Sequence, residues 1–236
     1  LQDAIEKKLI QPLSRESLEN WDKLSPKWQA LVKRNAQGLQ DEQGQIWAAP
    51  YRWGSTVIIY RQDKFKKLGW EPQDWSDLWR EELKGRISLL NQSREVIGLT
   101  LKKLGKSYNT DNIQEVSNLE EETQKLNQQV KFYSSTSYLE PLILGDTWLA
   151  VGWSNDVAPI LSRYPRLKVA IPQSGTALWA DLWVQPKVEN KKDKVQNISN
   201  KWIDFCWKPE VAKQIAILTK ANSPISDVTA SDITEQ

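Results

Sequence analysis

Apolar residues along this 236-residue chain recur first at helical and then at strand spacing. Leu1, Ile5 and Leu9 stand four apart, and within 16–34 the segment SPKWQALV offers a serine cap with proline at the first helical position. Helices are therefore expected over 1–10 and 16–34. The turn-rich loop GLQDEQGQ follows, and Ser55 to Tyr60, crowded with β-branched and aromatic residues, reads as a strand. SDLW at 76–79 opens a helix, and GRISLLNQS is a buried strand feeding a helix, REVIGLTLKKLG, that closes at Gly105.

Further along, NIQEVSNLEEETQKLNQQ is a charged helix, VKFYSS a short strand, SYLEPLILG a helix interrupted by Pro141, TWLAVGW a strand and NDVAPILSRY a helix. The stretch KVAIPQSGTALWADLWVQP supplies two strands around a Ser-Gly turn. In its second strand Leu178, Ala180, Leu182 and Val184 alternate with Trp179, Asp181 and Trp183, which predicts an apolar core face and a face carrying an acid between two indoles. A charged loop, KVENKKDKVQN, leads to a helix over 198–220 that breaks at Pro209, and the tail is polar. Strands alternating with helices point to an α/β protein with mostly parallel sheets.

Composition narrows the chemistry. A chain that is 39% hydrophobic and 26% charged is a globular one, and 32 basic against 30 acidic residues, interleaved along it, form no nucleic-acid footprint. The absence of histidine removes the commonest zinc ligand and every Ser-His-Asp or Cys-His arrangement. The single cysteine, Cys206, lies in the apolar run WIDFCW and reads as a buried structural thiol. No run approaches the ~18 apolar residues that span a membrane. The chain opens without methionine, inside an amphipathic helix, which suggests a longer protein whose signal peptide is removed or absent from this sequence.

Ligands of open α/β sheets gather beyond the carboxyl ends of the strands. That rule selects Gln92, Ser93 and Glu95 after RISLLN, Ser134 and Ser135 after VKFY, and Trp153 with Ser154, Asn155 and Asp156 after TWLAVG. Helix structure explains several of these without any ligand. Ser93, Ser134, Ser135 and Ser154 suit caps, Glu95 and Asp156 suit first turns, and Trp153 suits a core. Thirteen tryptophans exceed ordinary usage, and Trp75, Trp79, Trp202 and Trp207 read as packing.

The segments PYRWGSTVIIYR, SREVIGLTLKKLG, GWS and LWADLWVQPK with WIDFCWKPEVAKQIA, over residues 1 to about 225, resemble the spermidine/putrescine-binding proteins of bacterial ABC transporters. The resemblance implies a type II periplasmic binding protein-like α/β fold of two lobes, each a mostly parallel sheet flanked by helices, closing on ligand by a hinge. Lobe 1 would comprise 1–56 and 180–225, lacking its N-terminal unit, and lobe 2 would comprise 57–179 and 226–236. The crossings would fall near Gly54 to Ile58 and Ala177 to Asp181.

By the same resemblance Glu95 grips a terminal amine, Asp181 pairs with an ammonium, Trp153 and Trp179 flank the methylene chain, and Ser135 and Gln92 are polar site positions. The family has an aspartate at the Gln92 position, and an aromatic residue expected at Ala221 is absent from ANSP. Implied with it are a polyamine ligand, an ABC permease partner, a monomeric state, a periplasmic location, and no catalytic residue, cofactor, metal or membrane span. Another solute in the same fold, or a sugar held by indoles and the paired acids Glu95 and Asp181, are the competing readings.

Overall fold

The computed structural model describes residues 1–187 and 193–228. In chain order these form α1 (Gln2–Glu6), β1 (Ile10–Gln11), α2 (Pro26–Val32), β2 (Lys33–Arg34), β3 (Gln45–Ile46), β4 (Ala49–Arg61), α3 (Gln62–Leu68), β5 (Ile87–Leu89), α4 (Ser93–Lys103), α5 (Leu119–Gln129) and β6 (Val130–Tyr133). There follow α6 (Glu140–Leu144), β7 (Leu149–Trp153), α7 (Ser154–Leu161), β8 (Leu167–Ala170), β9 (Leu178–Trp183), β10 (Gln185–Pro186), α8 (Asp193–Cys206) and α9 (Pro209–Thr219). The chain divides into two compact units, 1–54 with the residues from 179 on, and 55–178.

In the second unit the strand order is β6-β5-β7-β4-β8. Strand β5 runs parallel to β6 and β7, whereas β4 is antiparallel to both β7 and β8. The sheet is therefore mixed, and the expectation of mostly parallel sheets is corrected. The reason is one inserted strand: β7, α7 and β8 make a βαβ unit with β4 running the opposite way between its two strands.

Burial of β4 on both faces accounts for its unbroken apolar run, since a strand covered on two sides has no polar face to alternate with. Ile58 and Tyr60 enter one core with Phe65, Trp75, Leu89, Leu99 and Val151. Val57 and Ile59 enter the other, with Tyr138, Leu142, Ala150 and Val157.

The first unit packs around Trp21, Leu24, Trp28, Val32, Ala49, Ile203 and Trp207. Its short strands pair antiparallel, β1 with β10 and β2 with β3, so the mostly parallel expectation fails here too, while β9 pairs with β4. The expected helix over 16–34 is two 3-10 turns, Arg15–Ser17 and Glu19–Lys23, followed by α2. Tertiary bonds override the helical pattern there: the Asn20 N–H donates to Asp204 Oδ1 at 2.7 Å, and its side-chain amide donates to Asp204 Oδ2 at 2.9 Å. Pro141 opens α6 instead of interrupting a helix, and Pro209 opens α9, so the expected break falls between α8 and α9.

Three expectations on the first unit need correction. Leu178 is 61% and Val184 42% exposed, because they stand at and just past the ends of β9, so only Ala180 and Leu182 of that face reach the core. Trp202 is exposed and lies beside Phe205 on α8, with ring centroids 6.0 Å apart. The tail does not return to the second unit over its described part: Ser226 N–H donates to Lys23 O at 2.9 Å, Lys23 pairs with Asp227, and Val228 packs on the first unit's core. Residues 229–236 lie outside the described residues. Among the described residues no helix is long and apolar enough to cross a membrane.

One indole ties the first unit's core to the start of β4. Trp207 is buried, and its Nε1 donates to the Pro50 carbonyl at 2.8 Å. Trp207→Phe keeps an aromatic ring but leaves that buried carbonyl unpaired, at a cost of about 1–3 kcal/mol. Urea unfolding should show a lower midpoint at unchanged m-value.

Candidate functional site

In the second unit β5, β6 and β7 run parallel, so their carboxyl ends lie along one edge of the sheet, with α4 beginning after β5 and α7 directly after β7. Gln92, not Ser93, is the N-cap of α4; it makes no side-chain cap bond and is exposed. Glu95 sits in the first turn of that helix, where the dipole favours an acid, and is only 9% exposed.

Its Oε2 accepts hydrogen bonds from Thr56 Oγ1 at 3.0 Å and from the Tyr108 hydroxyl at 2.7 Å. Both donors are neutral, and no ion pair to Glu95 is found among the described residues. Burial, then the charge and hydrogen bond of Glu95, hold the Tyr108 phenol well above its ordinary pKa. Gly98, on the same face of α4 as Glu95, makes this arrangement possible: a Cβ there would fall inside the Tyr108 ring.

Trp153 ends β7 and is the N-cap of α7. Its register partner on β4 is Thr56, whose hydroxyl bonds Glu95, so the sheet brings Trp153 and Glu95 to one place. The Trp153 ring stands edge-on to Tyr138, 6.4 Å between centroids. The Tyr138 hydroxyl accepts the Trp153 N–H at 3.1 Å and donates to Asp156 at 2.9 Å, and a Cβ at Gly152 would collide with the Tyr138 ring.

Asp156 is thus committed to Tyr138. Ser154 Oγ accepts the Ser55 N–H at 3.1 Å, and Ser134 Oγ caps a turn by accepting the Ser137 N–H at 2.9 Å. Ser135, by contrast, carries a buried Oγ without a hydrogen-bond partner among the described residues.

The first unit carries Trp179 and Asp181, both half-buried, on β9. Asp181 Oδ2 accepts from Arg52 Nε at 2.7 Å. Burial alone would lower the Arg52 pKa, and the bond to and charge of Asp181 more than offset it, so the guanidinium is held more firmly charged than usual. Arg52 also lies 5.5 Å from the Tyr51 ring centre, and Tyr51 stacks on Trp183 at 4.2 Å and 8°. Trp183 packs against the first unit's core, and Trp179 Nε1 is buried without a partner among the described residues.

Sequence reasoning missed Thr56, Tyr108, Tyr138 and Arg52. A glycine inside the helical pattern three residues after an acid was the available sign that another group approaches there. Nothing comparable marks Arg52.

Two outcomes follow from these contacts. A Gly-to-Ala change inside a helix ordinarily gains about 1 kcal/mol. Gly98→Ala should instead lose about 1–3 kcal/mol through overpacking against Tyr108, as read by denaturant unfolding. The second concerns alkaline pH. Phenols whose folded-state pKa is raised bind protons that the unfolded chain releases near pH ~10. Tyr60 is raised to about 12 by burial and its bond to Glu71, and Tyr108 and Tyr138 are also raised. Their contribution is full below pH ~10 and is lost as pH climbs through the folded-state values. Tyr138→Phe should flatten the fall of unfolding free energy measured at increasing alkaline pH.

Residues 1–234 match the family model described as bacterial extracellular solute-binding protein. The spermidine/putrescine-binding periplasmic protein of Escherichia coli is 28% identical over 209 residues, which cover 88% of this chain and 56% of that protein. The putrescine/cadaverine-binding protein of Pseudomonas aeruginosa is 30% identical over 193 residues, covering 75% of this chain and 52% of that protein. This chain therefore spans about half the length of the curated relatives it matches. The crystal structure of the spermidine/putrescine ABC transporter substrate-binding protein PotD from Streptococcus pneumoniae matches with a TM-score of 0.76 at 25% identity, over 99% of this chain and 69% of that one. The mixed α/β fold is that of the type II periplasmic binding proteins. By the match of its sequence from residue 1 to residue 234, the chain belongs to the bacterial extracellular solute-binding proteins.

Proposed function

We propose that this chain is the solute-binding subunit of an ABC importer, and that its solute is a small aliphatic amine of the polyamine kind. The observation that carries the reading is Glu95, a carboxylate nine-tenths buried whose side-chain donors among the described residues are the hydroxyls of Thr56 and Tyr108. A buried carboxylate is costly until a cation joins it, and an ammonium is a small cation that also suits indole faces. Trp153, Ser135 and Gln92 of the second unit, with Trp179 and Asp181 of the first, are the remaining proposed ligand residues. The unpaired Ser135 Oγ and Trp179 Nε1 supply hydrogen-bonding capacity for a polar solute.

The protein acts in the periplasm as a monomer, handing solute to its permease, and carries out no chemistry on it. The names of the relatives, which specify spermidine, putrescine or cadaverine, support the polyamine class. In such a site each charge-assisted carboxylate bond contributes about 1.5–3 kcal/mol and each cation–π contact about 0.5–2.

Calorimetric titration with spermidine, putrescine, cadaverine and arginine tests this. Binding of an amine that weakens with rising salt is expected. Glu95→Gln should weaken it by about 1.5–3 kcal/mol, roughly ten- to a hundredfold in Kd. No heat with any amine would overturn the reading, and salt-independent binding of a sugar would replace it with stacking on the indoles.

A further inference from the structure

Thr56 on β4, Glu95 and Gly98 on α4, and Tyr108 just beyond that helix all belong to the second unit. The two hydroxyls do not share the Glu95 carboxylate evenly. Thr56 Oγ1 at 3.0 Å and the Tyr108 hydroxyl at 2.7 Å both donate to Oε2, and among the described residues no group donates to Oε1. Each carboxylate oxygen offers two lone-pair directions, so Oε2 is filled and Oε1 is the one left to a ligand.

That filling is held by packing. The Tyr108 ring lies where Gly98 has no side chain, and Thr56 is 1% exposed on a strand paired with β7. Neither hydroxyl therefore swings aside without disturbing a packed neighbour.

Ammonium and guanidinium ask different things of a carboxylate. An alkylammonium is a compact point charge with three rotatable donors, and one oxygen can hold it. A guanidinium is a planar fork whose full strength comes from two parallel N–H bonds, one to each oxygen. On Glu95 such a fork meets one oxygen already taken, so it docks by a single prong or displaces a hydroxyl.

We infer that Thr56 and Tyr108 are positioning residues that make Glu95 selective for an alkylammonium over a guanidinium. They act through the carboxylate, by occupying Oε2. This inference rests on the amine-binding reading above and narrows it: of two dications with the same carbon chain, the site takes the one that ends in amines.

The test compares putrescine with 1,4-diguanidinobutane, which keeps the four-carbon chain and both charges and replaces each ammonium by a guanidinium. Calorimetry on the unaltered chain should show putrescine the tighter by about tenfold, the size of one charge-assisted hydrogen bond. Tyr108→Phe removes one donor to Oε2, and combining it with Thr56→Val removes both. Loss of packing alone would weaken the two compounds alike and leave the ratio of their dissociation constants unmoved. The ratio should instead fall in Tyr108→Phe and fall further, toward one, in the double variant.

Binding of 1,4-diguanidinobutane to the unaltered chain as tightly as putrescine overturns the inference whether or not the variants fold, and so does a ratio that both variants leave unchanged. In either case amine binding stands as proposed. If neither compound binds, this inference falls, and the amine-binding reading falls with it only where spermidine and cadaverine give no heat either.

Discussion

Strand β4 runs for 13 residues, from Ala49 to Arg61, and the chain passes from the first unit to the second within it, at Gly54 and Ser55. Its four-residue stretch Val57 to Tyr60 is buried by two separate cores, which fixes the strand's register against β7 and β8: a slip of one residue would exchange Ile58 and Tyr60 for Val57 and Ile59 in cores shaped for the other pair. That constraint sets where Thr56 stands, and Thr56 in turn holds Glu95 and is the register partner of Trp153. Further back on the same strand, Tyr51 and Arg52 meet Trp183 and Asp181. Each of the two candidate acids therefore takes a partner from one continuous piece of backbone.

The acids are held by different physics. Glu95 gains from two hydroxyl donors and from its place at a helix start, each a modest contribution. Asp181 gains a charge-assisted bond from a guanidinium that burial and aromatic contact keep in place. The first arrangement offers the acid only neutral side-chain partners among the described residues, and the second offers it a cation within the first unit.

Much of the fold was legible in the sequence where one local signal dominated. The apolar run of β4, the strand ending at Leu89 and the helix closing near Gly105 are local, so Glu95 and Trp153 could be placed at strand ends. The rest was set at long range. Asn20 gives up a helical bond for Asp204, 184 positions away, and no periodicity over 16–34 could reveal it. Parallel and antiparallel strands carry the same apolar run when both faces are buried, so the insertion of β4 between β7 and β8 was invisible. Arg52 read as an ordinary charge because its partner lies 129 residues away. The alternation in β9 was read correctly at Ala180 and Leu182, and too far at its ends, where pairing stops.

The two tyrosine–glycine pairs show how a site can be stiff without many residues. Tyr108 lies where Gly98 has no side chain, Tyr138 where Gly152 has none, and each hydroxyl ends on a carboxylate, Glu95 or Asp156. Ring and glycine interlock by shape, so the hydroxyl is positioned by packing before any ligand arrives. Glu95 is oriented by Thr56 and Tyr108 before a ligand approaches it, whereas the electrical character of Asp181 depends on a neighbouring side chain that can change while the acid stays.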